Sequence, residues 1–352
     1  MKSFFSNSLP GFRLALIGIV LAAGVVGLGA FTRLVHAGLG CPDWPGCYGH
    51  LLWPIEEHEI AAANEAFPDM PVIDGKPWPE MVHRYFAGAL ALLILAMAVI
   101  AIRNRHHENY PFRLPLFMLF LVIWQALFGM WTVTLKLWPQ VVTIHLLGGF
   151  ATFVLIVVMA QRLSSYRWRL PELQLEKVLK LKPWLIFGII IVALQIFLGG
   201  WVASNYAALA CPTKEFPTCF GTYWPEMDFI HGFNFAQAIG PNYLGGLLHN
   251  EARVAIHYMH RVGALITTAY LIILAVLCYA HKFRPLSTLT SVMLGVLAVQ
   301  VILGISNVMM GLPLSIAVAH NVVGAILLAL VCSLTTQCLR AQRLETREEQ
   351  GE

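Results

Sequence analysis

The sequence predicts an all-α polytopic membrane protein with eight transmembrane helices, arranged as two tandem, parallel-oriented four-helix bundles. Three observations predict this class. Apolar residues make up 58% of the 352 residues and charged residues only 12%, about half the usual share of a soluble domain. Eight apolar stretches approach the roughly 20 residues that cross a bilayer. The second half of the chain also repeats residues of the first half in the same order.

The composition excludes several classes of protein. A disordered chain needs low hydrophobicity and high charge, which this chain lacks. A net charge of +4 over 352 residues is too small to indicate a nucleic-acid partner. We therefore expect membrane lipid around the protein and no nucleic acid.

Eight apolar stretches predict the transmembrane helices. They cover residues 14–34, 82–102, 114–135, 141–161, 184–204, 255–280, 287–309 and 314–336. The first stretch could be a cleaved signal peptide, because Lys2 and Arg13 precede it. We favour a retained helix, because the fifth stretch repeats the end of the first.

Basic residues predict the orientation, because loops rich in Lys and Arg stay in the cytoplasm. The N-terminus, alternate loops and the C-terminal tail hold 16 of the 23 basic residues. The remaining loops are poor in them, and residues 36–80 carry eight acids against the single base Lys76. Both termini are therefore predicted to be cytoplasmic. The role of the acidic segment 52–78 stays open.

The chain repeats at an offset that drifts from 170 to 177 residues. Leu28-Gly29 returns as Leu198-Gly199, and His83-Arg84 returns as His260-Arg261. The remaining matches are Cys41-Pro42 with Cys211-Pro212, Pro45, Cys47 and Gly49 with Pro217, Cys219 and Gly221, Gln125 and Gly129 with Gln300 and Gly304, and His145 and Gly149 with His320 and Gly324. Such drift fits loop insertions between matched helices.

The repeat predicts four segments. They are an N-terminal four-helix unit (1–162), a basic cytoplasmic linker (163–183), a C-terminal four-helix unit (184–338) and a cytoplasmic tail (339–352). An even number of helices per unit gives both units the same orientation, unlike an inverted transporter repeat.

Four histidines belong to the repeat: His83, His145, His260 and His320. Each lies near the start of an even-numbered stretch, so all four are predicted near the outer face of the membrane. Facing helices of a bundle build cofactor sites in its core, and two histidines on opposite sides of a haem give six-coordinate iron. We therefore predict one bis-histidine haem site in each unit.

Two alternatives remain for these histidines. A histidine at a helix end is often only a satisfied polar residue, although intramembrane ionisable groups tend to be functional. Zinc or copper would need a third or fourth ligand, and only His257 and Glu80 are close in sequence.

Charged residues beside the histidines differ between the halves. Glu80 precedes His83 by three residues, and His257 stands at the matching position before His260. Residues at i and i+3 are neighbours on a helix, so Glu80 is predicted to lie beside the first haem. There it could act as a base or stabilise developing positive charge. A solvated glutamate of the acidic loop is the alternative.

Three arginines are candidate partners of the haem propionates, because guanidinium groups bind carboxylates in a bidentate fork. They are Arg33, Arg84 and Arg261. Snorkelling at the membrane interface is the alternative for each.

Four cysteines lie in the predicted outer loops, where oxidation permits disulfides. Cys41 with Cys47 and Cys211 with Cys219 are the favoured pairs, and a cross pair and a redox role stay open.

The conjunction of these motifs resembles the bacterial heme A synthase family, in particular its cysteine-containing branch. The resemblance covers all eight predicted helices. It is carried by the segments Thr32-Arg33-Leu34, Gly38-Leu39-Gly40-Cys41-Pro42-Asp43-Trp44-Pro45-Gly46-Cys47, Glu80-Met81-Val82-His83-Arg84, Thr143-Ile144-His145, His260-Arg261 and Ala319-His320-Asn321.

The resemblance implies oxidation of the C8 methyl group of haem O to a formyl group, which gives haem A for cytochrome oxidase assembly. It implies that His83 and His145 bind haem O and that Glu80 is catalytic. His260 and His320 would then ligate a haem b cofactor. Implied partners are haem O synthase and an unidentified electron acceptor, and a homo-oligomer is left open.

Two other functions compete with this interpretation. A transmembrane di-haem b cytochrome would transfer electrons, make no product and have no need of Glu80. A transporter is disfavoured, because no predicted helix is short or broken at its middle. The sequence does not identify the oxygen source or the residues that bind the farnesyl tail.

Overall fold

The computed structural model of the chain describes residues 8–344. The predictions for Lys2, for Arg347 and for most of the tail 339–352 concern residues outside this range. Within it, eight helices are long and apolar enough to cross a membrane, as predicted. They are α1 (Phe12–Leu34), α3 (Pro77–Arg103), α4 (Arg113–Thr134), α5 (Pro139–Leu163), α7 (Lys182–Ser204), α9 (Asn250–Ala280), α10 (Arg284–Met309) and α11 (Leu314–Leu339).

Proline begins several of these helices. Pro77 and Pro139 are the first residues of α3 and α5, and α7 and α10 have proline at their second position. Proline fits the first turn, where its missing N–H would have no partner in the helix. Helices α3 and α9 begin at residues 77 and 250, before the predicted starts at 82 and 255. Glu80 and His257 therefore lie within regular helix.

The long helices pack in two groups of four. In the first half, α1 and α4 each pack against both α3 and α5. In the second half, α7 and α10 each pack against both α9 and α11. The two groups meet through α1, α5, α7 and α11. These contacts fit two four-helix units, although buried apolar residues of both halves form one continuous cluster. The boundaries of the predicted segments stay a prediction.

Equivalent ends of the two units lie side by side. Arg33, near the end of α1, donates from Nη2 to the main-chain oxygen of Ala203, near the end of α7, at 2.6 Å. The rings of His36 and Tyr206 stack just beyond these helices, with centroids 5.6 Å apart. At the opposite ends, Arg340 after α11 donates to the oxygen of Gln161 in α5. Helices α1 and α7 therefore point the same way, as do α5 and α11.

Backbone conformation repeats at the offsets that the sequence shows. His36 and Tyr206, 170 residues apart, both have a φ of 54°. Leu137 and Leu312, 175 residues apart, have φ values of 61° and 63°. Positive φ is uncommon for residues other than glycine. The chain therefore leaves matched helices through the same local turn in both halves.

The acidic segment between α1 and α3 forms a small folded layer. It contains the helix α2 (Glu57–Ala66), whose first turn is closed by Glu59 bonding back to the main chain of Glu56. Apolar side chains of the segment pack on the helix start and on a nearby pair of cysteines. They are Trp53, Ala63, Phe67 and Val72, together with Cys41, Cys47, Tyr48 and Met81. This segment therefore covers the start of α3, a role that the sequence left open.

The linker between the units is partly ordered. It contains the two-residue strand β1 (Arg169–Leu170) and the helix α6 (Glu172–Leu179). Strand β1 pairs in parallel with β2 (Gln342–Arg343), just after α11. The chain after the last helix is therefore attached to the linker. Two short elements complete the fold, a 3₁₀ turn at Thr213–Glu215 and the helix α8 (Phe229–Gly232).

A buried hydrogen bond between the units provides a test of their packing. Thr143 Oγ1 and Ser204 Oγ lie 3.0 Å apart. The change Thr143→Val removes this bond but keeps a methyl group near the Gly200 position. We expect it to lower the free energy of unfolding by about 1–2 kcal/mol, measured by reversible denaturation in detergent.

The double change Thr143→Val, Ser204→Ala is the control for this prediction. It should cost less than the sum of the single changes, because the two residues share one interaction. Additive losses would mean that the bond between the units does not contribute.

Candidate functional site

Each repeated histidine ring lies against a glycine of the preceding long helix. A Cβ atom added at any of these glycines would meet the Cε1 atom of the ring. The distances would be 3.0 Å for Gly29 and His83, 3.4 Å for Gly129 and His145, 3.1 Å for Gly199 and His260, and 3.0 Å for Gly304 and His320. Glycine is the residue that allows such a close approach. All four histidines therefore have the same structural setting.

The histidines form one pair in each unit. The imidazoles of His83 and His145 are close enough to interact electrostatically, and so are those of His260 and His320. Each lies within the first three turns of its helix. The structure thus brings together the two pairs that the sequence predicted.

Glutamine side chains contact the second pair of histidines. Gln195 Nε2 lies 3.0 Å from His260 Nδ1 and also 3.0 Å from the main-chain oxygen of His260. Gln300 Nε2 lies 3.5 Å from His320 Nε2. His260 is the only one of the four whose Nδ1 has a glutamine contact. The Nδ1 atoms of His83, His145 and His320 have no hydrogen-bond partner among the described residues.

Sequence analysis missed Gln195, although a signal for it was present. Three of the four glycines that face histidines follow a glutamine by four residues: Gln125 and Gly129, Gln195 and Gly199, Gln300 and Gly304. The exception is Gly29, which follows Val25. At the repeat offset of 170 residues, Val25 is the counterpart of Gln195. Only the histidine beside Glu80 therefore lacks a glutamine at this position.

Glu80 is buried, with 5% of its surface exposed. Its Oε2 accepts hydrogen bonds from the main-chain N–H groups of Gly40 (2.9 Å) and Cys41 (3.1 Å). Its Oε1 accepts from Arg84 Nη2 at 2.5 Å. The position of the carboxylate therefore depends on the loop that contains Cys41.

Gly40 allows this loop to approach the start of α3. A Cβ atom at Gly40 would lie 2.3 Å from the main-chain oxygen of Lys76, which real Cβ atoms do not do. The loop therefore reaches Glu80 only because residue 40 is glycine.

Arg84 and Arg261 donate hydrogen bonds to matching positions of a loop in the two halves. Arg84 Nη1 donates to the main-chain oxygen of Pro45 and Arg261 Nη1 to that of Pro217, each at 3.2 Å. Pro45 and Pro217 are counterparts in the repeat. Arg84 Nη1 also donates to the oxygens of Asp43 and Gly46. Both arginines therefore connect a histidine-bearing helix to its neighbouring loop.

The counterpart of Glu80 makes different contacts. His257 Nε2 accepts a hydrogen bond from Arg261 Nε at 2.8 Å, and His257 Nδ1 lies 3.0 Å from the main-chain oxygen of Ala207. The arginine thus binds the residue four positions before it in both halves. That residue is a carboxylate only in the first half.

The three arginines predicted to bind propionates differ in how many of their N–H groups already form hydrogen bonds. Arg33 donates to Ala203 and its guanidinium carbon lies 3.9 Å from the ring centroid of Tyr206, but its Nε has no hydrogen-bond partner. Arg261 Nη2 is likewise buried without a partner among the described residues. These two retain a free donor, whereas Arg84 binds Glu80 and the loop.

The structure contains both favoured disulfides, Cys41–Cys47 and Cys211–Cys219. Each closes a loop that an arginine of the histidine-bearing helix also binds. Next to the first disulfide, burial, followed by the charges of Glu80 and Asp43, raises the pKa of Tyr48. The first disulfide loop, Tyr48 and Glu80 thus form one connected group.

These donors fit two haem groups. Each unit offers two imidazoles of the kind that ligate haem iron on opposite faces, with a glycine that leaves room beside each ring. The unpartnered N–H groups of Arg33 and Arg261 are donors suited to carboxylates. The residues present therefore suit bis-histidine haem ligation in either unit.

The chain is similar to known proteins over most of its length. The COX15-CtaA family, described as cytochrome oxidase assembly protein, matches residues 12–332. The chain belongs to this family. It is 42% identical over 312 residues to a protein of Shewanella oneidensis named heme A synthase. The matched region covers 89% of this chain and 92% of that protein.

More distant members of the family span similar lengths. A protein of Wolbachia pipientis subsp. Culex pipiens named heme A synthase is 29% identical over 323 residues, covering 86% of this chain and 90% of its own. A protein of Novosphingobium aromaticivorans with the same name is 26% identical over 347 residues. The match covers 92% of this chain and 93% of that protein. The similarity to the COX15-CtaA family thus includes both four-helix units and confirms the family resemblance.

The contacts of Glu80 predict how Arg84 substitutions act. Arg84→Gln leaves the buried carboxylate without its cation and should lower the free energy of unfolding by about 3 kcal/mol. Arg84→Lys should recover part of this loss, because lysine keeps the charge but not the planar fork. Thermal or denaturant unfolding of the detergent-solubilised protein measures both changes.

Two controls separate the ion pair from general effects of charge. Glu80→Gln combined with Arg84→Gln should be more stable than Arg84→Gln alone, since no unpaired buried charge remains. The exposed residue Arg105 provides a matched surface change, Arg105→Gln, with almost no expected effect. Equal losses for the single and double variants would contradict the interpretation.

Proposed function

We propose that the chain is a heme A synthase, an oxidoreductase of the bacterial cytoplasmic membrane that converts the C8 methyl group of haem O into the formyl group of haem A. The observation that carries this proposal is Glu80, the one buried carboxylate among residues 8–344, at a position where the other half of the repeat has His257. Similarity to proteins named heme A synthase over nearly the whole chain supports it.

His83 and His145 are the proposed ligands of the substrate haem O. Their unit contains Glu80, three residues and thus less than one helical turn before His83. Neither of their Nδ1 atoms has the glutamine contact that His260 has in the other unit, where His320 Nδ1 also lacks it. Groups that hydrogen-bond to metal-binding histidines typically contribute about 10–100-fold to metal affinity. A weaker set of ligands suits a haem that must enter as substrate and leave as product.

His260 and His320 are the proposed ligands of a resident haem b. Gln195 and Gln300 contact these two rings, and the Nη2 of Arg261 provides a free donor for a propionate. When bound, this haem supplies one-electron redox chemistry. His257 stands where the first unit has its carboxylate, so this unit lacks the residue that we assign to the methyl oxidation.

Glu80 is the proposed catalytic residue. Two successive hydroxylations each replace a C–H bond of the methyl group by a C–OH bond. In net terms each consumes one oxygen atom at the oxidation level of water and releases two protons and two electrons, and a separate electron acceptor must take up the electrons. The gem-diol formed by the second step loses water to give the formyl group. A carboxylate beside the substrate can take up a proton or stabilise positive charge at this carbon. Its bonds to Gly40, Cys41 and Arg84 fix its position.

The orientation follows from the distribution of charge. Alternate loops rich in Lys and Arg favour cytoplasmic termini, which puts the histidine pairs and both disulfides towards the outer face. An oxidising exterior would preserve the disulfides. Because the Cys41–Cys47 loop binds Glu80, the outer location would also maintain the proposed catalytic site.

The proposal predicts the products of a host that is supplied with haem O. Membranes with the wild-type protein should yield a farnesyl haem that carries a formyl group. We expect Glu80→Gln to lower its amount about 100-fold or more, and His83→Ala to abolish it. Haem extraction followed by chromatography and mass analysis measures the product.

Glu57→Gln is the matched control, because Glu57 is an exposed acid of the same loop. It should leave product formation unchanged. Wild-type yield from Glu80→Gln would remove Glu80 from the chemistry. If folded, haem-loaded wild type gave only unmodified haems even with an added oxidant, the chain would be a di-haem electron carrier instead.

Exchange of residues 25 and 195 tests the division between the two units. Gln195→Val should speed the loss of haem from the second unit to apomyoglobin by about 10–100-fold. Val25→Gln should slow the loss of haem from the first unit. Electron paramagnetic resonance should report a changed ligand field for the same unit in each variant.

Leu194→Val is the control, since Leu194 lies on the same helix and is 57% exposed on the outside of the helices. It should leave both rates unchanged. Unaltered haem loss and spectra in Gln195→Val would mean that the glutamine contact does not hold the ligand.

A further inference from the structure

Four arginines gather at the ends of α5 and α11, at the opposite end of the units from the histidine pairs. Arg162 lies in the last turn of α5, Arg167 and Arg169 follow in the linker, and Arg340 directly follows α11. In residues 8–344, none of the four forms an ion pair with a carboxylate. Glu172 of the linker pairs instead with Arg343 at 3.0 Å.

Two adjoining open cavities lie among these arginines. Their volumes are about 340 and 420 Å³, and both are lined by Arg162, Arg167, Asn109 and Gln342. Arg169 lines the first and Arg340 the second. The two spaces together form an arginine pocket that is large enough for a phosphate group and part of the molecule that carries it.

Arg340 lines the arginine pocket, and hydrogen bonds hold its side chain in place. Its guanidinium donates to the main-chain oxygens of Gln161, Arg162 (3.4 Å) and Ser164 (3.2 Å). These are carbonyl groups at the end of α5 that have no partner within that helix. Burial, followed by the charges of Arg167 and Arg162, lowers the pKa of Arg340 to about 10. The positive charges are therefore close enough to repel one another.

The other three arginines differ from Arg340 in their hydrogen bonds. No hydrogen bond from the side chain of Arg162, Arg167 or Arg169 occurs to any other described residue. Cations packed together without an acid are stabilised when an anion binds between them. Phosphate suits this arrangement, because guanidinium groups bind its oxygens bidentately.

We propose that the arginine pocket binds a phosphate group. The pocket lies where two membrane-crossing helices end, on the face predicted to be cytoplasmic. Basic pockets at this level are suited to the headgroups of anionic phospholipids. A free phosphate has the same recognition chemistry, so the experiment must separate the two sources.

The test uses the purified full-length protein. The protein is placed in phosphatidylcholine nanodiscs with and without phosphatidylglycerol. Native mass spectrometry then identifies the lipids that stay bound to the protein when it is released from the nanodisc. Thermal stability with inorganic phosphate forms the second arm. We expect retained phosphatidylglycerol on the wild-type protein and about a tenfold loss in the double variant Arg162→Gln, Arg167→Gln.

The matched control removes two arginines of the same predicted face outside the pocket, by Arg103→Gln and Arg284→Gln. Both residues are exposed, and their loss should change lipid retention less than twofold. Stabilisation by inorganic phosphate, lost in the pocket variant and without lipid retention, supports a phosphate site with a soluble ligand.

Three outcomes would overturn the proposal. The first is equal loss in the pocket and control variants, which would indicate only general surface charge. The second is a wild-type protein that neither retains phosphatidylglycerol nor responds to phosphate. The third is binding that appears only after removal of residues 345–352, four of which are glutamates, because the ligand of the pocket would then be the chain's own tail. None of these outcomes depends on haem A formation.

Discussion

Close contact between a glycine of one helix and a histidine ring of the next is the constraint on which the rest of the structure depends. A side chain at Gly29, Gly199 or Gly304 would come within about 3 Å of a ring carbon, which would displace either the histidine or the helix. Interiors of folded proteins are packed too densely to absorb such a shift freely. Helix spacing and histidine position are therefore set together at these three contacts, and a Cβ atom added at Gly129 would lie slightly farther from the ring of His145, at 3.4 Å.

The two units differ in a few residues at matched positions of the repeat. Glu80 and His257 occupy the same position and bind arginines in the same way, but only Glu80 has a carboxylate to offer to a substrate. Val25 and Gln195 also occupy matching positions, but only Gln195 can contact a histidine ring, that of His260, through its side-chain amide. Under the proposed function, these two pairs of residues would suit one unit to reaction and the other to retention of its haem.

Most of the fold was predictable, because helix length, charge distribution and internal repetition are all visible in one sequence. The histidine pairs were predicted from the repeat, and the two disulfides from the position of the cysteines in outer loops. Three features did not. The hydrogen bonds of Glu80 to Gly40 and Cys41 join residues about 40 positions apart through a loop conformation that no periodicity encodes. The attachment of β2 to the linker and the layer around α2 likewise depend on tertiary packing.

The contacts of Arg33 and His36 have a consequence for how the chain originated. Arg33 binds Ala203 and His36 stacks on Tyr206, and in each case the partner is the residue's own counterpart 170 positions later. In a two-fold symmetric dimer, residues on the axis meet their own copies. The two units therefore have the geometry of a homodimer whose subunits are fused into one chain. Fusion allows the copies to diverge at the axis, where two identical arginines would repel each other and an arginine facing an alanine does not.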